Sequence, residues 1–501
     1  MGDKYEQLVA HLGEFEDLEH AGSILGWDQQ VNMPPGGAHA RARQLSTLAR
    51  LSHEMFTDDK TARLLEDAER EIDGMPYDSD EASLIRVVKE DYAERTRLPS
   101  AHVAEFTRVT AEAHEVWVHA RANNDFNHFR PTLERIVDLV IKTAEYLGYT
   151  DHPYDALINR YERGITTARV TEIFDGHKPR LISLISDVID HADRVSDAVL
   201  HQDYDVDVQR AFGLDMVKRF GYDMSRGQQS VSVHPFCTTF SRNDVRITTR
   251  FDNNWLNPAL FGMMHESGHA MYEQGVGAAL EGTSLAGGTS LGVHESQSRM
   301  WENIVGRSRG FWTWAFPILK QYFPAQLEGM DVDAFYRAIN KVERSFIRVE
   351  ADEATYNLHI MVRFELETGV LGGKIKVADL AREWNGRFES YFGVEPPDDA
   401  HGILQDVHWS AGLMGYFPTY ALGNLLSVQY YNRALKDHPS IPDEVAQGKF
   451  DTLLHWLNEN IHQYGRKFTS DELTRRVTGE SIQSDDYIAY LEHKFGDIYG
   501  L

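Results

Sequence analysis

Apolar residues return at three- and four-residue spacing along most of this 501-residue chain, as in Tyr5, Leu8, Leu12 and Phe15, or Phe335, Ile339, Val342 and Phe346. That period is the repeat of an α-helix, not the two-residue alternation of a strand, so an all-α, mainly helical protein is expected. Turn signals are short: Met33-Pro34-Pro35-Gly36-Gly37, Asp151-His152-Pro153 and Glu395-Pro396-Pro397-Asp398-Asp399. None is long or biased enough to link separate domains, and no fixed-period repeat is present, so one domain over residues 1–501 is expected. One stretch breaks the helical rhythm. Between Ser230 and Arg250, Val231 and Val233, then Val245, Ile247 and Thr249, alternate around the polar turn Ser241-Arg242-Asn243-Asp244, which predicts one small β-hairpin or sheet.

Charge narrows the partners. Lys and Arg number 50 against 77 Asp and Glu, a formal net charge of −27. A field of that sign repels duplex nucleic acid and anionic membrane alike, and no Lys/Arg-rich block reverses it locally. Neither partner is therefore expected, and no run of about 18 apolar residues is present to span a bilayer. The opening MGDKYEQLVAHLGEFEDLEH is acidic where a signal peptide is apolar, and Glu6 stands where myristoylation of Gly2 asks for Ser or Thr. The single cysteine, Cys237, has no partner for an internal disulfide, which fits a reducing, cytoplasmic setting. It reads as a small packing residue rather than a catalytic thiol.

Soon after the strand-like stretch comes His265-Glu266-Ser267-Gly268-His269, an HExxH match. On a helix, two histidines four apart lie on one face and can both reach a single Zn2+, with Glu266 close enough to act on a water at that ion. Helix signals surround it: Asn257 as N-cap, Pro258 in the first turn, Gly275 as the stop, and Leu260, Met264 and Met271 as apolar positions. Catalytic zinc usually takes three protein ligands. Glu295, in His294-Glu295-Ser296-Gln297-Ser298-Arg299, follows His269 across a Gly-rich connection that suits a second helix packed on the first. There Val293, Met300, Trp301 and Ile304 form an apolar stripe, while Glu295, Arg299 and Glu302 share the opposite face, either solvated or turned to the metal. Glu295 is the expected third ligand and His294 its neighbouring rival. Zn2+ is the default for this set, with Co2+ or Mn2+ able to replace it.

Five short signatures, in order, give the chain a resemblance to the M32 metallocarboxypeptidases, the carboxypeptidase Taq family. They are His234-Pro235-Phe236, Asp244-Val245-Arg246-Ile247-Thr248 (DxRxT), HESGH followed by HESQ, Ile347-Arg348-Val349-Glu350-Ala351-Asp352 (IRxxAD), and Gly402-Ile403-Leu404-Gln405-Asp406-Val407-His408-Trp409 (GxxQDxHW). Trp27-Asp28-Gln29 with Met33-Pro34, and Gly415-Tyr416-Phe417-Pro418-Thr419-Tyr420, also look like family segments, so the resemblance spans nearly the whole chain. It implies an almost wholly helical, saddle-like subunit with a deep central groove, usually a homodimer. It further implies one divalent metal ion per subunit and removal of single residues from peptides with a free C-terminus.

The residues themselves point to metal-assisted amide hydrolysis, with His265, His269 and Glu295 holding the ion and Glu266 as general base. A carboxypeptidase must also bind the substrate's α-carboxylate, for which the planar fork of arginine is apt. Arg348 falls in a helical pattern running from about Asp333 to Thr368, amid Glu343, Glu350, Asp352 and Glu353, where by itself it reads as an ordinary intrahelical ion pair. The resemblance makes it the carboxylate anchor. Arg246 is either a substrate contact or a strand-surface charge paired with Asp244. His234, His408 and Tyr420 lie in family motifs that line the groove, and Tyr420 or His408 can donate to the carbonyl oxygen as it becomes an oxyanion. Gln405, with Asp406 and Trp409, looks like wall of the substrate site, Asp406 orienting His408 or a metal histidine. The competing readings are a zinc oligopeptidase that cuts internally and, outside enzymes, a helical peptide-binding scaffold. The aromatic segment Phe311-Trp312-Thr313-Trp314-Ala315-Phe316 is either dimer surface or core.

Overall fold

The computed structural model describes residues 2–501, of which 67% of the chain is helical, with one three-stranded sheet. Among the described residues no helix is long and apolar enough to cross a membrane. The fold divides into two compact units, each assembled from three separated stretches: residues 1–96, 197–339 and 430–481 in the first, 97–196, 340–429 and 482–501 in the second.

In the first unit the opening helix, Asp3–Val31, turns Tyr5, Leu8, Leu12 and Phe15 inward, onto Phe56 and Leu65 of the next two helices. The aromatic segment is core, since Phe311, Trp312 and Phe316 are all buried. The sheet departs from the expected hairpin. Strands β2 (Cys237–Ser241) and β3 (Asp244–Thr249) do form a hairpin around the turn at 241–244, but a further strand, β1 (Gly227–Val231), runs parallel to β3 on its other side. Val231 ends that strand and Val233 lies beyond it, both exposed, so their alternation is not that of a core face. The corner between β1 and β2 is pinned by Thr248, whose Oγ1 accepts from the Phe236 amide at 2.9 Å and lies 2.7 Å from Ser232 Oγ. This explains the third position of DxRxT: Asp244, Arg246 and Thr248 share one face of β3, and Thr248 anchors the His234-Pro235-Phe236 turn.

The helix predicted from Asp333 to Thr368 is not continuous. Val332–Ile339 is helical, residues 340–355 are a loop with one 3-10 turn at Arg348–Glu350, and helix resumes at Tyr356–Leu371. Asp352 breaks it. Its carboxylate accepts from the amides of Ala354 (2.9 Å), Thr355 (3.0 Å) and Glu343 (3.2 Å), so it holds the turn that leads into the second helix while folding the loop back on itself. Val342 stays buried and Phe346 stacks on Phe388, which is why the hydrophobic spacing continues where the helix does not.

In the second unit the helix Thr167–Ile189 packs against Tyr356–Leu371, the helix that carries Arg363. It buries His177 completely, Nδ1 donating to the Ile173 carbonyl at 2.8 Å. Burial pushes this imidazole down to about 4, so it folds neutral. Between pH 6.5 and about 4 the unfolded chain binds a proton there that the folded chain does not, so stability falls with falling pH. Urea midpoints at pH 7.5 and 4.5 are expected to show acid destabilisation smaller by on the order of 2 kcal/mol in His177→Leu than in the parent; equal acid sensitivity counts against a neutral buried His177.

Candidate active site

The helix Asn257–Gly275 carries the HExxH residues. Asn257 is its first helical residue rather than its cap, and Pro258 sits in the first turn as expected. Gly275 does end the helix, for a reason of packing: a Cβ there would lie 2.3 Å from Asn458 Oδ1 and 2.6 Å from His462 Nδ1. Leu260, Met264 and Met271 are buried, which fixes the helix rotation and turns His265 and His269 to one side, their rings 4.9 Å apart.

Glu295 arrives on the helix Leu291–Arg299, whose first turn is capped by Ser290 Oγ accepting from Val293 N at 3.1 Å. The two helices touch backbone to backbone at Gly268. A Cβ at that position would stand 2.6 Å from both Gln297 O and Ser298 Cα, so only glycine permits the approach. The result puts Glu295 Oε2 at 3.7 Å from Nε2 of both His265 and His269. Those three residues are the metal-ligand cluster found among the described residues. Donors about 2.1 Å from a tetrahedral ion lie about 3.4 Å from one another, so this set fits one ion with small adjustment.

The partners on the far side of each ligand agree. His265 Nδ1 donates to Glu302 Oε2 at 2.8 Å, which leaves its Nε2 lone pair facing Glu295. Behind His269 stands His294, with the two Nδ1 atoms 3.0 Å apart and His294 Nε2 donating to Glu273 Oε1 at 2.5 Å. With that proton on Nε2, His294 Nδ1 accepts from His269 Nδ1, and His269 too presents an Nε2 lone pair. His294, the rival ligand, is thus placed behind a ligand. Arg299 donates to Glu295 Oε1 at 2.7 Å and to Glu302 at 3.1 Å, holding both carboxylates. Glu302 lies in a single π-helical turn, Met300–Val305, that continues the Glu295 helix.

Burial alone raises Glu302, but Arg299 and His265 override it and hold it at about 2. Burial lowers His265, yet Glu295 and Glu302 bring it above its ordinary value, while burial and the neighbouring cations push His269 well down. Glu266, buried beside the ligands, is pushed up by burial to about 7. Burial also drives the Cys237 thiol well up, followed by Glu266 and Glu273, which keeps it protonated as a packing residue. Three carboxylates, Glu273, Glu295 and Glu302, with Glu266 pushed up to about 7 beside them, meet two guanidinium groups, Arg299 and Arg307, so the cluster carries a negative surplus, the sign that a cation answers.

Arg246 and His234 also belong to the first unit. Arg246 gives Nε and Nη2 to Asp244, both at 2.7 Å, and lies over the rings of Trp27 and Phe240, which is the paired strand-surface arrangement. His234 is exposed in the bend after β1, its carbonyl accepting from Ser232 Oγ.

The second unit gathers the rest around Asp406. Arg348 is 5% exposed and gives Nη2 to Asp406 at 2.8 Å, Nε to the same carboxylate at 3.1 Å, and Nη1 to Tyr356 Oη at 2.9 Å. Its ion pair is with a residue far along the chain, not within a helix. Asp406 serves Arg348 and Arg363; His408 Nδ1 is 3.8 Å away, too far for a hydrogen bond, so the expected orienting role falls elsewhere. Gln405 is saturated: Oε1 accepts from Arg348 N and Arg363, and Nε2 donates to the Phe346, His401 and Gly402 carbonyls. His408 rests among Tyr416, Phe417 and Tyr420, its pKa lowered by burial to about 4. Tyr420 lies with its ring 5.1 Å from the Arg348 guanidinium. Trp409 donates to Glu367 at 2.7 Å, as Tyr154 does at 2.8 Å and the Gly415 amide at 3.1 Å, so one buried carboxylate holds the loop that bears His408.

Sequence reasoning assigned no role to Glu302, Glu273, Arg363 or Glu367. Glu302 carried a signal, one face with Glu295, and Arg363 carried another, a lone charge inside the apolar run Leu358-His359-Ile360-Met361-Val362-Arg363-Phe364. Glu273 and Glu367 are legible only once folded.

Comparison with known proteins follows the same lines. Residues 7–495 match the family described as carboxypeptidase Taq (M32) metallopeptidase. The chain is 38% identical to thermostable carboxypeptidase 1 of Thermus thermophilus over 99% of both chains, and 35% identical to carboxypeptidase 1 of Bacillus subtilis over 98% of this chain and 96% of that one. Among solved structures it is similar to the M32 carboxypeptidase of Deinococcus radiodurans, at 41% identity and a TM-score of 0.97 over 100% of each chain.

The contact at Gly268 makes a direct prediction. Gly268→Ala forces the two helices apart and is expected to weaken metal affinity by about ten- to a hundredfold, whereas Ser267→Ala, one residue away, leaves it intact. Titration of the apoprotein with Zn2+ reads both; unchanged affinity in Gly268→Ala would show that the approach does not set the ligand geometry.

Proposed function

Because the chain belongs to the carboxypeptidase Taq (M32) metallopeptidases, a family of metal-dependent carboxypeptidases that take the C-terminal residue from peptides, we propose the following division of labour for its residues. The observation that carries it is the ligand trio His265, His269 and Glu295, with both imidazole Nδ1 atoms already engaged and Glu266 buried alongside. Zn2+ is the ion this set suits best, with Co2+ or Mn2+ as substitutes, and when bound it supplies Lewis acidity to a water and to the scissile carbonyl. Glu266 takes the proton of the attacking water and returns it to the leaving amine, as its raised pKa suits. Tyr420, or His408 as a neutral imidazole, donates to the developing oxyanion.

Arg348 receives the substrate's α-carboxylate. Three of its N–H donors serve Asp406 and Tyr356, leaving one hydrogen on each terminal nitrogen for a planar acceptor. Arg246 and His234 support the substrate, and Gln405 fixes the backbone around Arg348. Residues 1–501 work as one functional domain, because each unit is built from three separated stretches. We further propose a homodimer, and a cytoplasmic setting in keeping with the single reduced cysteine.

Glu266→Gln keeps shape and removes the base, so metal content is expected to stay stoichiometric while kcat falls at least about a hundredfold. Turnover near the parent's would move the base elsewhere. The anchor is tested separately. Amidating the C-terminus of a peptide deletes the charge that Arg348 meets, and cleavage is expected to slow by roughly thirty- to a thousandfold, equivalent to about 2–4 kcal/mol. Equal cleavage of acid and amide removes Arg348 from this role.

A further inference from the structure

We infer that Arg363 is a positioning residue for substrate recognition: by sharing the carboxylate of Asp406, it leaves Arg348 with an unneutralised positive charge for a terminal carboxylate. The inference rests on the reading of Arg348 just given and extends it to a residue that no substrate can touch.

Arg363 is 1% exposed. Its guanidinium is held on every side, with Nε on Asp406 Oδ2 at 2.7 Å, Nη1 on the His359 carbonyl at 2.7 Å, Nη2 on Gln405 Oε1 at 2.8 Å, and the Trp384 ring 4.6 Å away. Such a group acts only through its neighbours. The neighbour is Asp406, whose Oδ1 takes Arg348 and whose Oδ2 takes Arg363.

An Arg348–Asp406 pair alone would be neutral. A carboxylate lying along a guanidinium edge cancels its charge and removes most of its pull on a second anion. With Arg363 present, two guanidinium groups face one carboxylate. Of the remaining titratable neighbours, His359 and His408 are pushed down by burial and stay neutral, Tyr356 contributes a hydroxyl, and Glu367, one turn along the helix from Arg363, is pushed up by burial to about 7 and already accepts from Trp409, Tyr154 and the Gly415 amide. A buried net charge is unfavourable without a counterion. The arrangement is therefore incomplete in the one respect that a substrate carboxylate remedies. The isolated arginine in an apolar helical run, otherwise a costly thing to bury, thus has a physical reason to be there.

The test is the ratio of kcat/KM for a free-acid peptide to that for its C-terminal amide, in the metal-loaded enzyme. Arg363→Met fills the same space without charge. It is expected to raise KM for the acid and lower the ratio by about tenfold, with the amide changed less than about twofold. Asp406→Asn removes the carboxylate that the arginines share, keeps its shape, and is expected to raise the ratio. A merely structural role predicts instead that both variants lose activity on acid and amide alike, which would overturn the inference. So would an unchanged ratio in Arg363→Met when the parent enzyme discriminates strongly. A parent enzyme that does not discriminate at all would sink the Arg348 reading first, which separates the two failures. Should Arg363→Met fold poorly, Asp406→Asn and Arg363→Lys decide alone: an unchanged or lower ratio in the first, or a ratio in the second well below the parent's, counts against charge sharing.

Discussion

The contact between the helices Asn257–Gly275 and Leu291–Arg299 at Gly268 sets the geometry of the His265, His269 and Glu295 cluster. Two ligands on one helix come almost free of charge from its 3.6-residue turn, but the third must be delivered by a separate element to within a few tenths of an ångström. Ordinary helix packing keeps axes 8–10 Å apart through side chains. Here the side chain is missing at the crossing, and the backbone of Gln297 and Ser298 occupies its place. That lets the short Glu295 side chain reach between two imidazoles. In His265-Glu266-Ser267-Gly268-His269 the glycine is as much part of the metal geometry as the histidines.

Distance alone does not make a ligand; each donor must also show a lone pair in the right direction. Glu302 settles this for His265, and the Glu273–His294 relay settles it for His269. The π-turn at Met300–Val305 matters because Glu302 follows Glu295 by seven residues on the same strip, and an extra residue in the turn shifts it toward His265. Arg299, between them, fastens both carboxylates to one guanidinium.

Much of this was legible before folding. The helical class, the 241–244 turn, the HExxH helix and Glu295 on a second helix all follow from local spacing, which reports local structure. The failures share a cause. Arg348 was read into a helix because Val342 and Phe346 keep helical spacing, and nothing local reveals that Asp352 folds the loop back through the amide of Glu343. The parallel strand β1 was missed because its partner β3 is contiguous with β2, and only the β2–β3 pairing is local. Local spacing assigns Asp406 to His408, two residues away, or to a metal histidine, whereas its partners are Arg348 and Arg363, at 58 and 43 residues' separation. Long-range ion pairs leave no periodic trace. What they do leave is an anomaly, a lone arginine in an apolar run, and its explanation needs the partner.

The two clusters solve opposite problems by one means. Around the metal ligands, carboxylates outnumber guanidinium groups, and the surplus is negative. Around Asp406, guanidinium groups outnumber carboxylates, and the surplus is positive. In both, most charges are buried and paired, so their desolvation is already met within the protein and does not fall on the ligand. What remains unpaired is small, held rigidly, and of the sign opposite to the species proposed for each cluster. A fully neutral cluster would fold more easily and bind nothing; one with every charge left unpaired would not stay buried. A two-to-one sharing of a single carboxylate lies between those limits, and it gives Arg363 a reason to occupy the core of a helix where a leucine would pack as well.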